Sequence, residues 1–375
     1  MKEENFSCLK EKQRKRRLRE YPHQCLLIFF FILVLDFLSL SLLNDAGTNQ
    51  IKLIMTKSGD SQDLFDNGFS IDISNLTVSV NGIDCSLKRT CSLDKNPSEI
   101  ILSFSTKLTQ CSKMFYGKQT LLEVDLSSFD ASKLESMDEM FRECKELTNI
   151  TFGNIDTSSL KYMERTFQAC ENLKTIDLSH FDLSNVKKID YLFETCIRLV
   201  DIKFGTTKTA PLEAMAAVFA NCKALQSVDL SHFDTSKVQD MQRMFDGCEL
   251  LQNVDVSTWN TSNVTTLYAF FSGCKKLTSI DISTFDTSKV TSFHYLFNEC
   301  NLLVNLTLGN LDTSKVENMQ TTFQACSSLT SLDLSHWSFA SVSHTNAMFN
   351  GCRNLVNVTF GTSTSPKLKE VDFIL

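Results

Sequence analysis

The residues of this chain that could do chemistry are cysteines, carboxylates and histidines that recur at a fixed spacing. Nine cysteines follow one another at intervals of 26 residues: Cys144, Cys170, Cys196, Cys222, Cys248, Cys274, Cys300, Cys326 and Cys352. Thiolates can act as nucleophiles, disulfide partners or metal ligands, but metal ligands must converge on one point. Residues one repeat apart form a line instead. We therefore expect a column of buried thiols that pack as small apolar groups.

A column of aspartates accompanies the cysteines. When each cysteine is position 0 of its repeat, position 7 is aspartate in six units: Asp125, Asp177, Asp229, Asp255, Asp281 and Asp333. Position 7 lies between apolar positions 6 and 8, so we expect it to point outward from a strand. This acidic face is a candidate binding surface for a protein or glycan. A face kept polar only for solubility is the equal alternative.

Other candidate ligands favour structural roles. Position 12 is aspartate in Asp130, Asp156, Asp182, Asp234, Asp286 and Asp312, but Asn260 and Ser338 interrupt this column, which favours helix caps and turns over calcium sites. His180, His232 and His336 share position 10, two and four repeats apart, hence roughly 10 and 20 Å, which is too far for one zinc ion. No nucleophile elbow or phosphate loop is present. We expect no enzyme activity, cofactor or metal.

Three further cysteines lie between the apolar run 25–43 and the repeats. Cys85, Cys91 and Cys111 lie in a region where Asn81-Gly82 indicates a hairpin turn. Outside the cell a disulfide is expected among them, with Cys85–Cys91 the first choice, although three reduced thiols are the alternative. Sequons for N-glycosylation occur at Asn75, Asn149, Asn260, Asn263, Asn305 and Asn357, and several could arise by chance in a chain this rich in Ser and Thr.

These columns require a repeating element. Position 3 is always Leu, and position 23 is Phe from Phe141 to Phe349. Within one unit, Val228 and Leu230 alternate as in a short strand, and Val238, Met241 and Phe245 follow at the spacing of one helical face. The sequence therefore predicts an α/β, right-handed, leucine-rich-repeat-like solenoid of about ten strand-loop-helix coils over residues 118–375. Residues 51–117 lack the period and are expected to form a small β-rich cap.

The repeat resembles a known family. Met244-Phe245-Asp-Gly-Cys248, together with Leu230-Ser-His-Phe-Asp-Thr-Ser-Lys-Val238, is similar to the unit of the BspA-like leucine-rich repeat surface proteins. The resemblance covers about residues 112–375. It implies surface display and adhesion, and it implies no catalytic residues.

The N-terminus predicts the location of the chain. The basic segment 1–24 has eight Lys or Arg against four Asp or Glu, and the apolar run 25–43 is long enough for one membrane-spanning helix. The arrangement indicates a cytoplasmic N-terminus and an extracellular solenoid, through a signal-anchor or, alternatively, a cleaved signal peptide with secretion.

Composition and the two chain ends set the remaining expectations. The acidic body argues against nucleic acid as a partner. We expect adhesion to a protein or glycan ligand at the cell surface. The alternatives are a ligand-sensing receptor ectodomain and a coat protein that assembles end to end through an uncapped C-terminus.

Overall fold

The computed structural model describes residues 48–56 and 62–361. The chain divides into two units, Met1–Thr48 and Asn49–Leu375, and the elements below belong to the second. The predicted segments 1–24 and 25–43, and the end of the last predicted coil at 362–375, lie outside the described residues. Within the described ranges, no helix has the length and apolar character needed to cross a bilayer.

The N-terminal part of the second unit is built from antiparallel strands. In the six-stranded sheet, β1 (Gln50–Met55) pairs with β6 (Ser98–Phe104) on one side and with the first repeat strand, β7 (Leu121–Asp125), on the other. Alternate side chains of β1, such as Leu53, are buried. The strands of the sheet, in spatial order, are β4 (Ile83–Asp84), β3 (Leu76–Val80), β6 (Ser98–Phe104), β1 (Gln50–Met55), β7 (Leu121–Asp125) and β8 (Asn149–Thr151). A two-stranded sheet of β2 (Gln62–Asp63) and β5 (Thr90–Cys91), with a 3-10 turn at Ile73–Asn75, completes this part.

The rest of the described chain is a β-solenoid of about nine turns. Strands of consecutive coils pair in parallel with a constant offset of one repeat, as in Ile176↔Ile202. The pairs are β9 (Thr175–Leu178) with β10 (Asp201–Phe204), β11 (Ser279–Asp281) with β12 (Asn305–Thr307), and β13 (Ser331–Leu334) with β14 (Asn357–Phe360). The repeat and the solenoid agree with the sequence prediction, and the right-handed winding remains a prediction.

The predicted α/β class and its helices are wrong. Where a helix was expected, residues 241–248 form consecutive turns, and the described residues contain no α-helix. Alternate N–H groups donate to the next coil: Phe245 N–H to the Phe270 carbonyl, at 2.9 Å. The N–H groups between them close turns within the coil, as Cys248 N–H does to the Phe245 carbonyl, at 3.1 Å. A helix would direct all of these donors to its own preceding turn.

Backbone angles also exclude a helix here. Arg243 at position 21 has φ 55° and Gly247 at position 25 has φ 73°, both in the left-handed region, and these two positions recur with positive φ along the solenoid. Buried side chains nevertheless follow one another at steps of three and one, from Met241 to Met244, Phe245 and Cys248. That spacing imitates a helical face. The donors' real partners are 25 residues away, where a local sequence window does not show them.

One continuous apolar core fills the coils. The phenylalanines of position 23, with Phe115 one coil earlier, are buried and stack on one another. Phe245 and Phe271 have ring centroids 5.4 Å apart and planes inclined by 5°. The ladder comprises Phe115, Phe141, Phe167, Phe193, Phe219, Phe245, Phe271, Phe297, Phe323 and Phe349. A single coil has no such partner on either side, so its apolar face is buried only by stacking.

Truncating one ring in the middle of this ladder tests the shared core. Phe245→Ala is expected to reduce the free energy of unfolding by about 3–5 kcal/mol, because it leaves a cavity between two stacked rings. Urea denaturation followed by far-UV circular dichroism measures the change. The control is Gln252→Ala at an exposed position of the neighbouring coil, which is expected to change stability by less than about 0.5 kcal/mol. Equal midpoints for the two variants would place the phenylalanine column outside the core.

Candidate binding surfaces

The thiol column is buried inside the coils. Each cysteine from Cys144 to Cys352 donates its thiol proton to the carbonyl of the position 23 phenylalanine one coil back, as Cys248 Sγ does to Phe219 at 3.1 Å. Burial raises the pKa of the Cys144 and Cys196 thiols to about 12. The thiols are therefore unsuited to nucleophilic chemistry. The prediction of packed thiols did not anticipate the hydrogen bond, which gives a reason for cysteine over alanine at this position.

The cysteines before the repeats have two different environments. Cys85 and Cys91 form a disulfide. Cys111 is free and fully buried, and burial raises its pKa. Its N–H donates to the carbonyl of Ser136 at 2.9 Å, which is the coil-to-coil bond of the repeat. The first turn segment of the solenoid therefore begins before Lys118.

The position 7 aspartates lie on one outer surface of the coils, which we call the strand face. Asp125, Asp177, Asp281 and Asp333 belong to strands, and Asp229 and Asp255 occupy the equivalent position of coils that have no regular strand there. Asp125 is half-buried and the other five are exposed. Each accepts a hydrogen bond from the N–H of the serine two residues later, as Asp229 Oδ1 does from Ser231 at 3.0 Å. Hydrogen bonds from this serine are the main cause of the lowered pKa of Asp229. These carboxylates close the turn after the strand, so their backbone attachment is fixed while they face solvent.

The position 12 carboxylates close a second set of turns and cap no helix. Asp234 accepts from Ser236 N–H at 2.9 Å, and Asn260 does the same from Ser262 at 3.1 Å. The adjacent threonine was missed by the sequence analysis. Thr235 is buried, donates to the Asn260 carbonyl at 3.0 Å and accepts from the Asn260 N–H at 2.8 Å. The recurrence of Thr at position 13 was the signal that could have indicated it.

The sequons differ in how their side chains are held. Asn149, Asn305 and Asn357 are exposed strand residues at position 5 of the strand face. The amide nitrogen of Asn263 donates to the Ser236 carbonyl at 2.8 Å, and that of Asn75 donates to Asp72 at 3.2 Å. Asn260 is exposed, but its oxygen accepts from Ser262. A glycan on the first three would cover part of the strand face.

Residues 135–143, and the segments one repeat apart that follow, present a second surface, which we call the turn face. In the N-terminal half of the turn face, half-buried carboxylates have structural roles. Asp138 Oδ1 accepts from Glu164 N–H and Asp190 Oδ1 from Ala216 N–H, each at 2.8 Å. The residue two positions before each donor, at position 18, is Tyr162 or Ala214. Neither side chain can accept the hydrogen bond of a local turn, so the aspartate of the preceding coil accepts it instead. Burial raises the pKa of both aspartates.

The C-terminal half of the turn face is aromatic. Tyr268 at position 20 contacts His294 and Tyr295 of the next coil, with ring centroids 5.5 and 5.9 Å away. His294 and Tyr295 lie 4.0 Å apart and are nearly parallel. All three are half-buried. The sequence signal was the aromatic pair Tyr268 and His294 at position 20 of adjacent repeats, with Tyr295 directly after His294.

The histidines of position 10 are separate from these clusters. His180 and His336 are exposed, and His232 is half-buried. Across the part of the chain that the structure describes, no group of three His, Cys, Asp or Glu is arranged to hold a metal ion.

Comparisons with known proteins add a family and a structural likeness. Residues 109–227, 213–305 and 280–367 match the family described as "Mycoplasma protein of unknown function, DUF285". No curated protein matches the chain. Among solved structures, "Crystal structure of TLR13-ssRNA13 complex" is similar at 20% identity with a TM-score of 0.27. That match covers 64% of this chain and 36% of the other, so it spans little more than a third of that protein.

The thiol column is expected to resist alkylation in the folded chain. Iodoacetamide at pH 8 reacts with thiolates, and burial both shields these thiols and raises their pKa. Peptide mapping by mass spectrometry is expected to find Cys144 to Cys352 unmodified before denaturation and modified in guanidinium chloride. Rapid labelling of any of them in the folded chain would contradict the buried column.

The turn carboxylates are expected to make the fold acid-sensitive. A lowered folded pKa, as at Asp229 and Asp281, contributes stability above the ordinary carboxyl pKa that is lost as pH falls through the folded value. The raised pKa of Asp138 and Asp190 acts in the opposite sense, but these groups are fewer. We expect the melting temperature to fall between pH 5 and pH 3.

Asparagine variants provide the control for this pH dependence. Asp229→Asn, Asp255→Asn and Asp281→Asn together keep a turn acceptor, as Asn260 does naturally, and remove three titrating groups. Their melting temperature is expected to fall less steeply with acid than that of the parent chain. Identical slopes would mean that these carboxylates do not contribute to the acid response.

Proposed function

The chain belongs to the family described as "Mycoplasma protein of unknown function, DUF285", and we propose that it is a non-catalytic surface protein whose solenoid adheres to a protein or glycan partner. The resemblance of its repeat to the BspA-like surface proteins supports adhesion. The observation that carries the proposal is the strand face, where carboxylates at fixed intervals project from a rigid ladder without contributing to the core.

The geometry of the strand face suits recognition. Asp229, Asp255 and Asp281 occupy consecutive coils, and each is tied to the backbone two residues away. A side chain already held in place loses little conformational entropy on binding. A row of like charges also attracts a partner with complementary Lys or Arg and accelerates association. The strand face therefore favours a protein partner with a basic surface.

Two observations support a location outside the cell. The Cys85–Cys91 disulfide is typical of an oxidising compartment. The apolar segment 25–43, preceded by basic residues, supports membrane attachment with the solenoid outside. The free thiols of the repeat are compatible with that compartment, because burial shields them from oxidants in the solvent.

The other two roles have less support. A ligand-sensing ectodomain would use the same exposed faces, and nothing in the described residues distinguishes it from an adhesin. End-to-end assembly into a coat depends on the C-terminal edge, which includes residues outside the described ranges. We therefore retain adhesion as the proposed function.

Binding of the purified full chain to host-cell surfaces and immobilised matrix proteins tests this proposal. Asp229→Asn, Asp255→Asn and Asp281→Asn together are expected to weaken adhesion about tenfold, since three charges are lost while the turn acceptors remain. A charge-matched control changes Asp234, Asp286 and Asp312 to asparagine in the position 12 column. It is expected to change adhesion less than about twofold.

The outcomes distinguish an error in the proposed adhesive function from an error in the choice of the strand face. Adhesion that survives both sets of changes would reject the strand face as the binding surface. Absence of adhesion by the parent chain to every surface tested would reject the function itself. Circular dichroism of each variant confirms that the coils remain folded.

A further inference from the structure

We propose that the C-terminal half of the turn face is a binding site for a neutral oligosaccharide, formed around Tyr268, His294 and Tyr295. The inference rests on the proposed function, because it treats the solenoid as a binding protein, but it concerns a different surface from the aspartate column. We call these three residues the aromatic patch.

The rings of the aromatic patch form a stepped platform. His294 and Tyr295 are nearly parallel, with centroids 4.0 Å apart and planes inclined by 24°. Tyr268 meets Tyr295 at 89°, with centroids 5.9 Å apart. All three side chains are partly open to solvent. Aromatic faces and edges arranged in this way suit the C–H faces of pyranose rings, while the phenol and imidazole groups can bond sugar hydroxyls.

The backbone holds this platform in place before any ligand arrives. Tyr268 N–H donates to Thr266 Oγ1 at 3.1 Å, and His294 N–H donates to Ser292 Oγ at 3.2 Å. Tyr295 N–H donates to the carbonyl of Gln320 in the following coil at 3.2 Å. The first two bonds close turns within a coil and the third joins two coils, so the backbone under the rings is already fixed and little order has to be created on binding.

On its C-terminal side the aromatic patch is surrounded by polar, almost uncharged segments. On its N-terminal side lies Arg243, whose N–H donates to the Tyr268 carbonyl at 2.8 Å and whose guanidinium is paired with Asp246 and Glu194. The turn segments 265–273, 291–299, 317–325 and 343–351 contain no Lys or Arg, and their only carboxylates are Glu299 and Glu317. The corresponding segment 135–143 alone contains five charged residues. Hydroxyl, amide and imidazole groups, beside an Arg243 guanidinium that is already paired with carboxylates, favour neutral sugars over sulfated or phosphorylated ligands.

An unused hydroxyl lies beside the platform. Thr321 Oγ1 is buried and makes no hydrogen bond within the described residues. Thr321 follows Gln320, whose carbonyl accepts from Tyr295, so it adjoins the rings. A buried polar atom without a partner is costly, so Thr321 marks a place next to Tyr295 where hydrogen-bonding capacity is left unused.

The tyrosines of the N-terminal half provide an internal comparison. Lys188 Nζ lies 5.9 Å from the ring centroid of Tyr162, and the Arg165 guanidinium lies 4.5 Å from that of Tyr191. Cations therefore occupy the positions over those rings. Among the described residues no cation lies over the rings of Tyr268 or Tyr295 in this way. Tyr191 shares position 21 with Tyr295 and is therefore a matched control in a different environment, and Tyr162, at position 18, is a second control on the same face.

Binding of the full chain to defined oligosaccharides tests the aromatic patch. The probes are cellotetraose, chitotetraose and a neutral β-galactosyl tetrasaccharide, with heparin tetrasaccharide as the sulfated comparison, measured by saturation-transfer NMR and calorimetry. At least one neutral probe is expected to bind. Tyr268→Ala or Tyr295→Ala is expected to weaken that binding at least tenfold, whereas Tyr295→Phe, Tyr162→Ala and Tyr191→Ala are expected to change it less than threefold.

Each other outcome overturns the inference. Binding to none of the neutral probes, stronger binding to the sulfated probe, or equal losses in Tyr268→Ala and Tyr162→Ala would reject a neutral-sugar site at the patch. If no neutral sugar binds but adhesion still depends on the aspartates, only the sugar site at the aromatic patch is rejected. If sugar binding depends on the tyrosines but adhesion does not depend on the aspartates, the sugar site stands and only the strand face is rejected as the adhesive surface. Melting curves of the tyrosine variants exclude unfolding as the cause of a loss.

Discussion

The constraint on which the solenoid depends is the hydrogen bond from one coil to the next. Donors such as Phe245 N–H reach the carbonyl of Phe270, and the same offset recurs along the turn segments. A backbone amide that is buried needs a partner, and here nearly every second one finds it in a neighbouring coil. This offset aligns position 23 with position 23, so that the phenylalanine rings stack. It also places each cysteine thiol against a carbonyl one coil back. The core is therefore a consequence of the backbone register.

The sequence allowed the coil to be predicted but not its local structure. The interval between Cys248 and Cys274 and the strict Leu at position 3 required stacked units, because such regularity buries one face continuously. Val238, Met241 and Phe245 predicted a helix because a chain of turns buries residues at the same steps. What distinguishes the two is the sign of φ at residues such as Arg243, which no preference of Arg for that region would have indicated.

The surfaces were predictable to different degrees. Asp229 could be placed on an outer face because it lies between the apolar residues Val228 and Leu230, but its bond to Ser231 needed coordinates. The aromatic patch was not found from sequence, since Tyr268 and Tyr295 occupy different positions and meet only because one coil is laid on another. The core and the two faces draw on separate columns of the repeat, so residues exposed to a partner differ from those that hold the coils together.

The constant offset of the ladder has a consequence for how such a gene can change. When 26 residues are removed or duplicated in register, the coils on either side of the change still stack on an equivalent coil. Every donor, ring and thiol therefore meets the same kind of neighbour as before. Recombination between homologous coils can therefore lengthen or shorten the protein in whole units while leaving the N-terminal cap attached to its own strand, β7. An insertion of any other size would break the alignment across the whole width of the junction. The number of coils can thus vary without disturbing the fold. Such variation would change the length of the solenoid and the number of exposed residues in each column without altering its interior.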